Sequence, residues 1–296
     1  MSKLSDLNKI KRALQLLVKP DDVTELRVLG SEYGTVSGYF KDIDAAARIA
    51  AEWSGKAKGV YVTLNPVKPK LLSRAQNKTI NHPKSTTKDQ DVRRRRWLFL
   101  DFDPIRKSGI SSTKKEHEAA LDLARKVRSE LRRMDWPEPV LVDSGNGAHL
   151  LYRIILPNDQ ASSVLIQRCL QALAFWDSTQ KVEIDQTTYN ASRLWKLPGT
   201  LACKGNNTAK RPHRLSRFLK VPDDIKSVKR NQLEALAAEI PKEPEDPNEQ
   251  ALTQRGNFHL QQWIEKHQIQ VKRSAPWNGG KKWILSHCPW KPKEHK

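Results

Sequence analysis

The stretch RWLFLDFD (96–103) constrains this chain more than any other. A short, continuous apolar run is the pattern of a central strand covered on both faces. This one finishes on two carboxylates, Asp101 and Asp103. Side chains at i and i+2 of a strand leave from the same face, with their roots roughly 6 to 7 Å apart. Two readings stand for such a pair. Either the strand has ended and both acids are solvated, or they converge on one or two divalent cations, which would neutralise their mutual repulsion.

The segments that follow predict a fold around this strand. TKKE (113–116) is a capping box that opens a helix to about Arg133. PVLVDS (139–144) reads as a strand, GNGA as a glycine turn, and HLLYRIIL (149–156) as the returning strand. NDQASSVLIQRCLQALAFW (158–176) reads as a helix capped by Asn158 or Asp159, and KVEID (181–185) as a last strand. The order β-α-β-β-α-β is the split βαβ arrangement of ferredoxin-like and RNA-recognition-motif folds. Its first and third strands are antiparallel central neighbours, so the aspartates should lie beside His149.

Before this module, an amphipathic helix (1–18), two strands (25–29 and 34–40), a helix (42–53) and a strand (59–66) predict an N-terminal αβ module. Residues 68–90 read as a polar, basic loop or short helix. The expected class is α+β: one domain over 1–240, with the αβ module at about 1–90 and the split βαβ module at about 91–220. A helix over 228–240 follows. The three-proline stretch 241–250 reads as a linker, and 251–296 as a small terminal piece.

Lys and Arg number 53 against 33 Asp and Glu, a net charge of +20. The excess recurs in several segments, which favours a nucleic-acid partner over a merely solubilising surface. Three cysteines without paired spacing argue for a reducing compartment. The opening helix lacks the apolar core of a signal peptide, and no segment is apolar and long enough to cross a membrane.

Further candidate residues cluster downstream. In DSGNGAHLLY the two glycines permit a tight turn with backbone amides able to face an anion, and His149 opens the next strand. Asp185 again follows an apolar strand residue, and Arg193, Lys196 and Lys204 are cations suited to a triphosphate. For each, a plain structural reading stands alongside: an ordinary hairpin, a turn acid, a solvated basic face.

The order DFD, then SGNGAH, then ID resembles the three motifs of the archaeo-eukaryotic primase superfamily: a D-x-D, an S-x-H-like element and a hydrophobic residue before Asp. The surrounding WLFLDFDP, DSGNGAHLLYRI and NASRLWKLPGTLACKG look like the primase-polymerases of phages, plasmids and other mobile elements. The resemblance spans roughly residues 20–240 and departs in the middle motif, where four residues separate Ser144 from His149. It implies a catalytic core with an RNA-recognition-motif-like sheet. It implies that Asp101, Asp103 and Asp185 bind two Mg²⁺ or Mn²⁺ ions. Ser144, Asn146, His149, Arg193, Lys196 and Lys204 would hold the incoming nucleotide. The implied partners are single-stranded DNA template and primer, ribo- or deoxynucleoside triphosphates, and a replicative helicase supplied separately or by a missing C-terminal part. The implied setting is the cytoplasm of a bacterial or phage-infected cell.

Template or nucleotide contacts are expected at Tyr39, Asn65, Arg74 and Asn77, with a core role equally open for Tyr39. Arg94 and Arg95 in RRRR (93–96), and Arg211 and Arg214 in KRPHRLSRFLK, are candidates for backbone phosphates. Cys288 and His295 read as half of a zinc site, so the chain is expected to be cut from a longer protein that completes it. Two rivals remain: a non-catalytic single-strand binding domain, and a haloacid dehalogenase-type phosphatase. The phosphatase would want Thr or Val where Ile105 stands, and a parallel sheet.

Overall fold

The computed structural model describes residues 5–240, 260–277, 280–288 and 291–294. The chain divides into two compact units, Met1–Pro241 and Lys242–Lys296. In the first, α1 (Leu7–Leu17) precedes β1 (Thr24–Ser31), β2 (Gly34–Phe40), α2 (Ile43–Trp53), β3 (Gly59–Thr63) and the short β4 (Ile80–Asn81). Then come β5 (Arg94–Pro104), α3 (Lys114–Arg133), β6 (Val140–Asp143), β7 (Ala148–Pro157), α4 (Gln160–Asp177) and β8 (Val182–Ile184). Short strands β9 (Leu194–Lys196), β10 (Leu201–Ala202), β11 (Arg214–Leu215) and β12 (Arg217–Lys220) lead to α5 (Arg230–Ala238).

The fold is α+β with two five-stranded antiparallel sheets. One has the order β12-β6-β7-β5-β8, so the split βαβ strands are arranged as expected, with β5 and β7 central and antiparallel. Every pairing in this sheet is antiparallel, which does not fit the phosphatase alternative. The capping box forms: Glu116 N–H donates to Thr113 Oγ1, and Thr113 N–H to the Glu116 carboxylate. Asp42 caps α2 and Asp159 caps α4.

The alternation of β5 explains why its run is continuous. Leu98, Leu100 and Phe102 pack with α3, α4 and α5, while Trp97 and Phe99 face the other way into a second core. That second core holds Leu26, Val28, Val60 and Val62 of the N-terminal sheet and the apolar faces of α1 and α2. Burying one such large side chain contributes about 1.5–3 kcal/mol. Both faces are therefore covered, and Asp101 and Asp103 continue the Trp97–Phe99 face. The acids sit within the strand, not beyond its end.

The second sheet has the order β4-β2-β1-β3-β9. Its last strand is the departure from the sequence reading. Residues 194–196, expected in the catalytic module, instead pair with β3: Tyr61 lies opposite Lys196 and Val62 opposite Trp195. The chain thus crosses from one sheet to the other between β8 and β9. Asn65 secures the crossing, accepting from Arg96 N–H at 2.7 Å and donating to the Ala191 carbonyl at 3.0 Å.

In the second unit a helix, Leu260–Lys266, precedes the antiparallel pair Val271–Trp277 and Gly280–Leu285, and His287–Cys288 pairs with Lys291–Glu294. The linker 241–250 and His295 lie outside the described residues. Among the described residues no helix is long and apolar enough to cross a membrane.

Candidate functional site

Where the Trp97–Phe99 face of β5 runs out of core, a cleft of about 260 Å³ opens. Asp101, Asp103, Ser144, Asn146, His149, Arg193, Lys196 and Lys204 all line it. Eight candidates scattered over more than a hundred residues therefore meet at one place. Leu29, Lys58, Tyr61 and Leu194 complete the wall from the N-terminal sheet and its connections, and Phe99 and Ala202 add apolar surface.

The strand register sets the chemistry. His149 lies directly opposite Asp101, with Nε2 3.4 Å from Oδ1. Its ring stands edge-on to Phe99 at a centroid distance of 4.9 Å. Its Nδ1 is buried and has no hydrogen-bond partner among the described residues. Burial alone would raise the Asp101 carboxyl, but His149, then Lys204 and Arg193, outweigh it and hold the group below the ordinary carboxylate range. Asp103 goes the other way. Burial and the neighbouring Asp101 charge push it up, and Lys204 and Arg106, the latter 3.6 Å away, offset this only in part. Two carboxylates on one face are thus driven apart in pKa, as expected of like charges sharing a site. Such a pair can hold a divalent cation, which would remove the conflict.

Asp185 is placed differently. Its backbone N–H donates to the Asp101 carbonyl at 3.0 Å, so it follows directly on β8 beside Asp101. Its carboxylate, however, caps the short 3₁₀ turn Gln186–Tyr189, accepting from Thr187 N–H at 2.8 Å and Thr187 Oγ1 at 2.7 Å, and it is not among the residues lining the cleft. Among the described residues no three His, Cys, Asp or Glu side chains gather as a metal-ion ligand set. Both Thr187 contacts fall on Oδ1, so for the third acid to join the other two its side chain must move toward them.

The glycine turn is braced from outside. Asp143 is buried and accepts from Gly145 N–H at 2.8 Å, and His117 of α3 contacts the same oxygen at 2.7 Å. Ser144 Oγ accepts from Gly147 N–H, and Asn146 Oδ1 from Ser112 N–H, both at 2.9 Å. A Cβ on Gly147 would lie 2.2 Å from the Phe102 carbonyl oxygen, so only glycine lets the turn approach β5 this closely. Arg214 donates to the carbonyls of Ser112 and Gly145, and Arg211 pairs with both oxygens of Glu116. These two arginines brace the site's frame, where the sequence suggested phosphate contacts.

The cations of the cleft differ in how they are held. Arg193 donates to the Thr187 carbonyl and is partly engaged. Lys196 is buried, donates to Thr200 Oγ1 and the Leu201 carbonyl at 2.9 Å each, and lies 5.5 Å from the Tyr61 ring centroid. Burial, with Lys204 adding to it, lowers its pKa to about 7. The Tyr61 hydroxyl is pushed up to about 12 by burial and by the two aspartates. Lys58 and Lys204 have no ion-pair or side-chain hydrogen-bond partner among the described residues.

The remaining candidates lie elsewhere. Tyr39 is 1% exposed, packed with Val23, Val67 and Leu71, and presents no face to a base. Arg74 donates to its hydroxyl, and Asn77 Oδ1 accepts from the backbone of Lys41 and Asp42. Of RRRR, Arg95 is buried against Tyr189 and Ser163, Arg96 is buried on Asp22, and Arg93 and Arg94 are exposed. Lys58 and Tyr61 are the cleft residues that the sequence reading missed. The alternation of GVYVT, with Val60 and Val62 as the core pair, was the available signal that Tyr61 faces away from them.

No family model and no curated protein matches this sequence. Among solved structures the chain is similar to the primase RepB', with 11% identity and a TM-score of 0.42 over 89% of this chain and 69% of that one. It is also similar to the polymerase domain of Mycobacterium tuberculosis ligase D in complex with DNA, with 16% identity and a TM-score of 0.36 over 70% of this chain and 79% of that one.

Proposed function

We propose that this chain is a DNA-templated nucleotidyltransferase, a primase-polymerase that makes or extends primers on single-stranded DNA. One observation carries the reading: two carboxylates on one strand face are driven apart in pKa inside a cleft whose other charged lining groups, Lys58, Arg193, Lys196 and Lys204, are all basic. That charge pattern suits a polyphosphate whose reacting end meets the acids. In the reaction, a primer or first-nucleotide 3′-hydroxyl loses its proton to water and its oxygen bonds the α-phosphorus, while the bond from the α-phosphorus to the bridging oxygen breaks and pyrophosphate leaves.

Asp101 and Asp103, joined by Asp185 if its side chain moves toward them, are the residues that would hold Mg²⁺ or Mn²⁺. The bound ions would supply charge neutralisation and activation of the hydroxyl. His149, fixed by Phe99 and Asp101, would orient the phosphates, and Arg193, Lys196 and Lys204 would neutralise them. The braced turn of Ser144 and Asn146 would fix the substrate's position against β5. A template strand and a primer are the partners this reading entails, and a helicase supplied in trans or by a missing C-terminal part would be compatible with it.

The test is primer synthesis and primer extension on single-stranded DNA with Mn²⁺ or Mg²⁺, comparing wild type with Asp101→Ala/Asp103→Ala. Product from wild type alone supports the proposal. Template binding without product in either assay would replace it with the single-strand binding reading.

A further inference from the structure

Lys58 is the cleft residue with no role so far, and its setting is specific. It enters β3 from the N-terminal sheet's side, its N–H donating to the Gly30 carbonyl at 3.3 Å. Gly30 has φ +68°, and a Cβ built there would fall 2.5 Å from Lys58 Cδ and 2.6 Å from Cγ. The aliphatic stem of Lys58 therefore lies against a bare α-carbon. Any other residue at position 30 would displace it and would strain the backbone as well. On the other side, Cys203 N–H donates to the Lys58 carbonyl at 2.9 Å. That bond brings the segment carrying Lys204 alongside Lys58.

Lys58, exposed, and Lys204, partly buried, thus come from adjoining backbone and line one cleft, and neither side chain makes an ion pair among the described residues. Lys196 lies in the same wall, already disfavoured as a cation by burial and by Lys204. Lys58, Arg193, Lys196 and Lys204 outnumber the two carboxylates of the cleft, and this positive excess favours an extended anion. The cleft's two acids meet this excess only in part: Lys204 acts on both of them, but Asp101 also faces His149, and Asp103 also faces Arg106. Lys204 also borders a neighbouring cleft of about 250 Å³ at Asp103, which Lys58 does not line. The reacting phosphate belongs beside the acids, which leaves Lys58 for the phosphates beyond it.

We propose that Lys58, its stem laid against Gly30 and lining the same cleft as Lys204, is a contact for the polyphosphate tail of the incoming nucleoside triphosphate. This deepens the nucleotidyltransferase reading and rests on it. The N-terminal sheet then takes part in substrate selection and does more than cover β5.

The test uses the full chain and inorganic tripolyphosphate in EDTA, read by titration calorimetry, so that neither metal nor catalysis is needed. Lys58→Met keeps the stem and removes the charge. Lys56→Met, at an exposed lysine outside the cleft, removes the same charge from the surface. We expect Lys58→Met to bind at least tenfold more weakly, as for a lost charge-assisted contact. Lys56→Met should match wild type, and Lys58→Arg should recover most of the affinity. Wild-type affinity in Lys58→Met, or an equal loss in Lys56→Met, would overturn the assignment. Primer extension by the same proteins separates the two readings. If wild type makes no product, the nucleotidyltransferase reading fails while the calorimetry still decides Lys58. If wild type is active, Lys58→Met should raise the nucleotide KM about tenfold with little change in kcat, and an unchanged KM would also overturn the proposal.

Discussion

Two carboxylate sites in this molecule, Glu25 in the N-terminal sheet and Asp103 at the cleft, are held in opposite ways. Glu25 on β1 is wholly buried, yet it takes two bonds from the Arg27 guanidinium, one from Ser37 Oγ and one from Thr87 N–H. Burial would raise its pKa, but these donors outweigh burial and hold it below the ordinary glutamate value. Asp103 on β5 receives no such set of donors, and burial with the Asp101 charge drives it the other way. The first site has been completed by the protein itself. The second has been left open, with cations around it and none bonded closely to it. An acid whose charge is satisfied internally serves the fold, and one that is left in conflict is available to a ligand.

The sharpest way to break this comparison is Asp103→Asn. Activity should fall about a thousandfold or more in primer extension, while the protein should become more stable at neutral pH. The sign follows from the raised pKa. The folded state keeps the proton above the unfolded value of 3.8, so wild type loses stability as pH rises through that window and stays lower above it. Thermal denaturation should place the variant above wild type at pH 7–8, and the gap should close below pH 4. A variant that loses activity and stability together would remove the contrast with Glu25.

Glu25→Ala should show the opposite profile. It leaves Arg27 and Thr87 N–H without their acceptor, and breaking such a buried pair costs about 3–5 kcal/mol. Denaturant melts should show that loss, with the specific activity of the folded fraction retained. Because the Glu25 pKa is lowered, the stability it contributes is present above about pH 4.5 and is lost as pH falls below it.

Which of these sites could be read in advance is itself instructive. The β5–β8 order was legible because long apolar runs, a capping box and a glycine turn each specify local structure within a few residues. Asp101, Asp103 and His149 followed from strand parity and antiparallel register. β9 was illegible: three residues, LWK, carry no periodicity, and only the tertiary pairing with Tyr61 and Val62 makes them a strand of the other sheet. Lys58 was hidden for the same reason, since its place depends on contacts with Gly30 and Cys203 that are far apart in sequence. Tyr39 stays open between a base contact and a core role on sequence alone, because the segment that covers it, with Val67 and Leu71, is distant in sequence.

Lys196 offers a smaller and more graded test. Its pKa is lowered to about 7, against 10.5 for an ordinary lysine. Below pH 7 it is charged in both folded and unfolded states, and the full penalty of burying the charge applies. Between pH 7 and 10.5 only the unfolded state holds the proton, so stability rises with pH across that window. Lys196→Met should remove this rise, giving a flatter stability curve and a more stable protein at pH 6–7, by a few kcal/mol at most. It should also weaken nucleotide binding. An unchanged pH profile would mean that water or the aspartates keep the ammonium solvated.

The smallest effect expected is at Tyr39, and it tests the core side of the comparison. Its hydroxyl is a shared acceptor, taking Arg74 at 3.2 Å and Thr87 Oγ1 at 3.4 Å, and Thr87 in turn donates its N–H to Glu25. Tyr39→Phe keeps the packed ring and removes only this link. A typical net hydrogen bond is worth about 0.5–1.5 kcal/mol, so stability should fall by about that amount. Affinity for single-stranded DNA should not change, because the ring is enclosed on all sides and a base has nowhere to stack. A severalfold loss of DNA affinity with unchanged stability would instead mean that the segment around Arg74 opens to admit the strand, and that the satisfied network around Glu25 belongs to the binding surface after all.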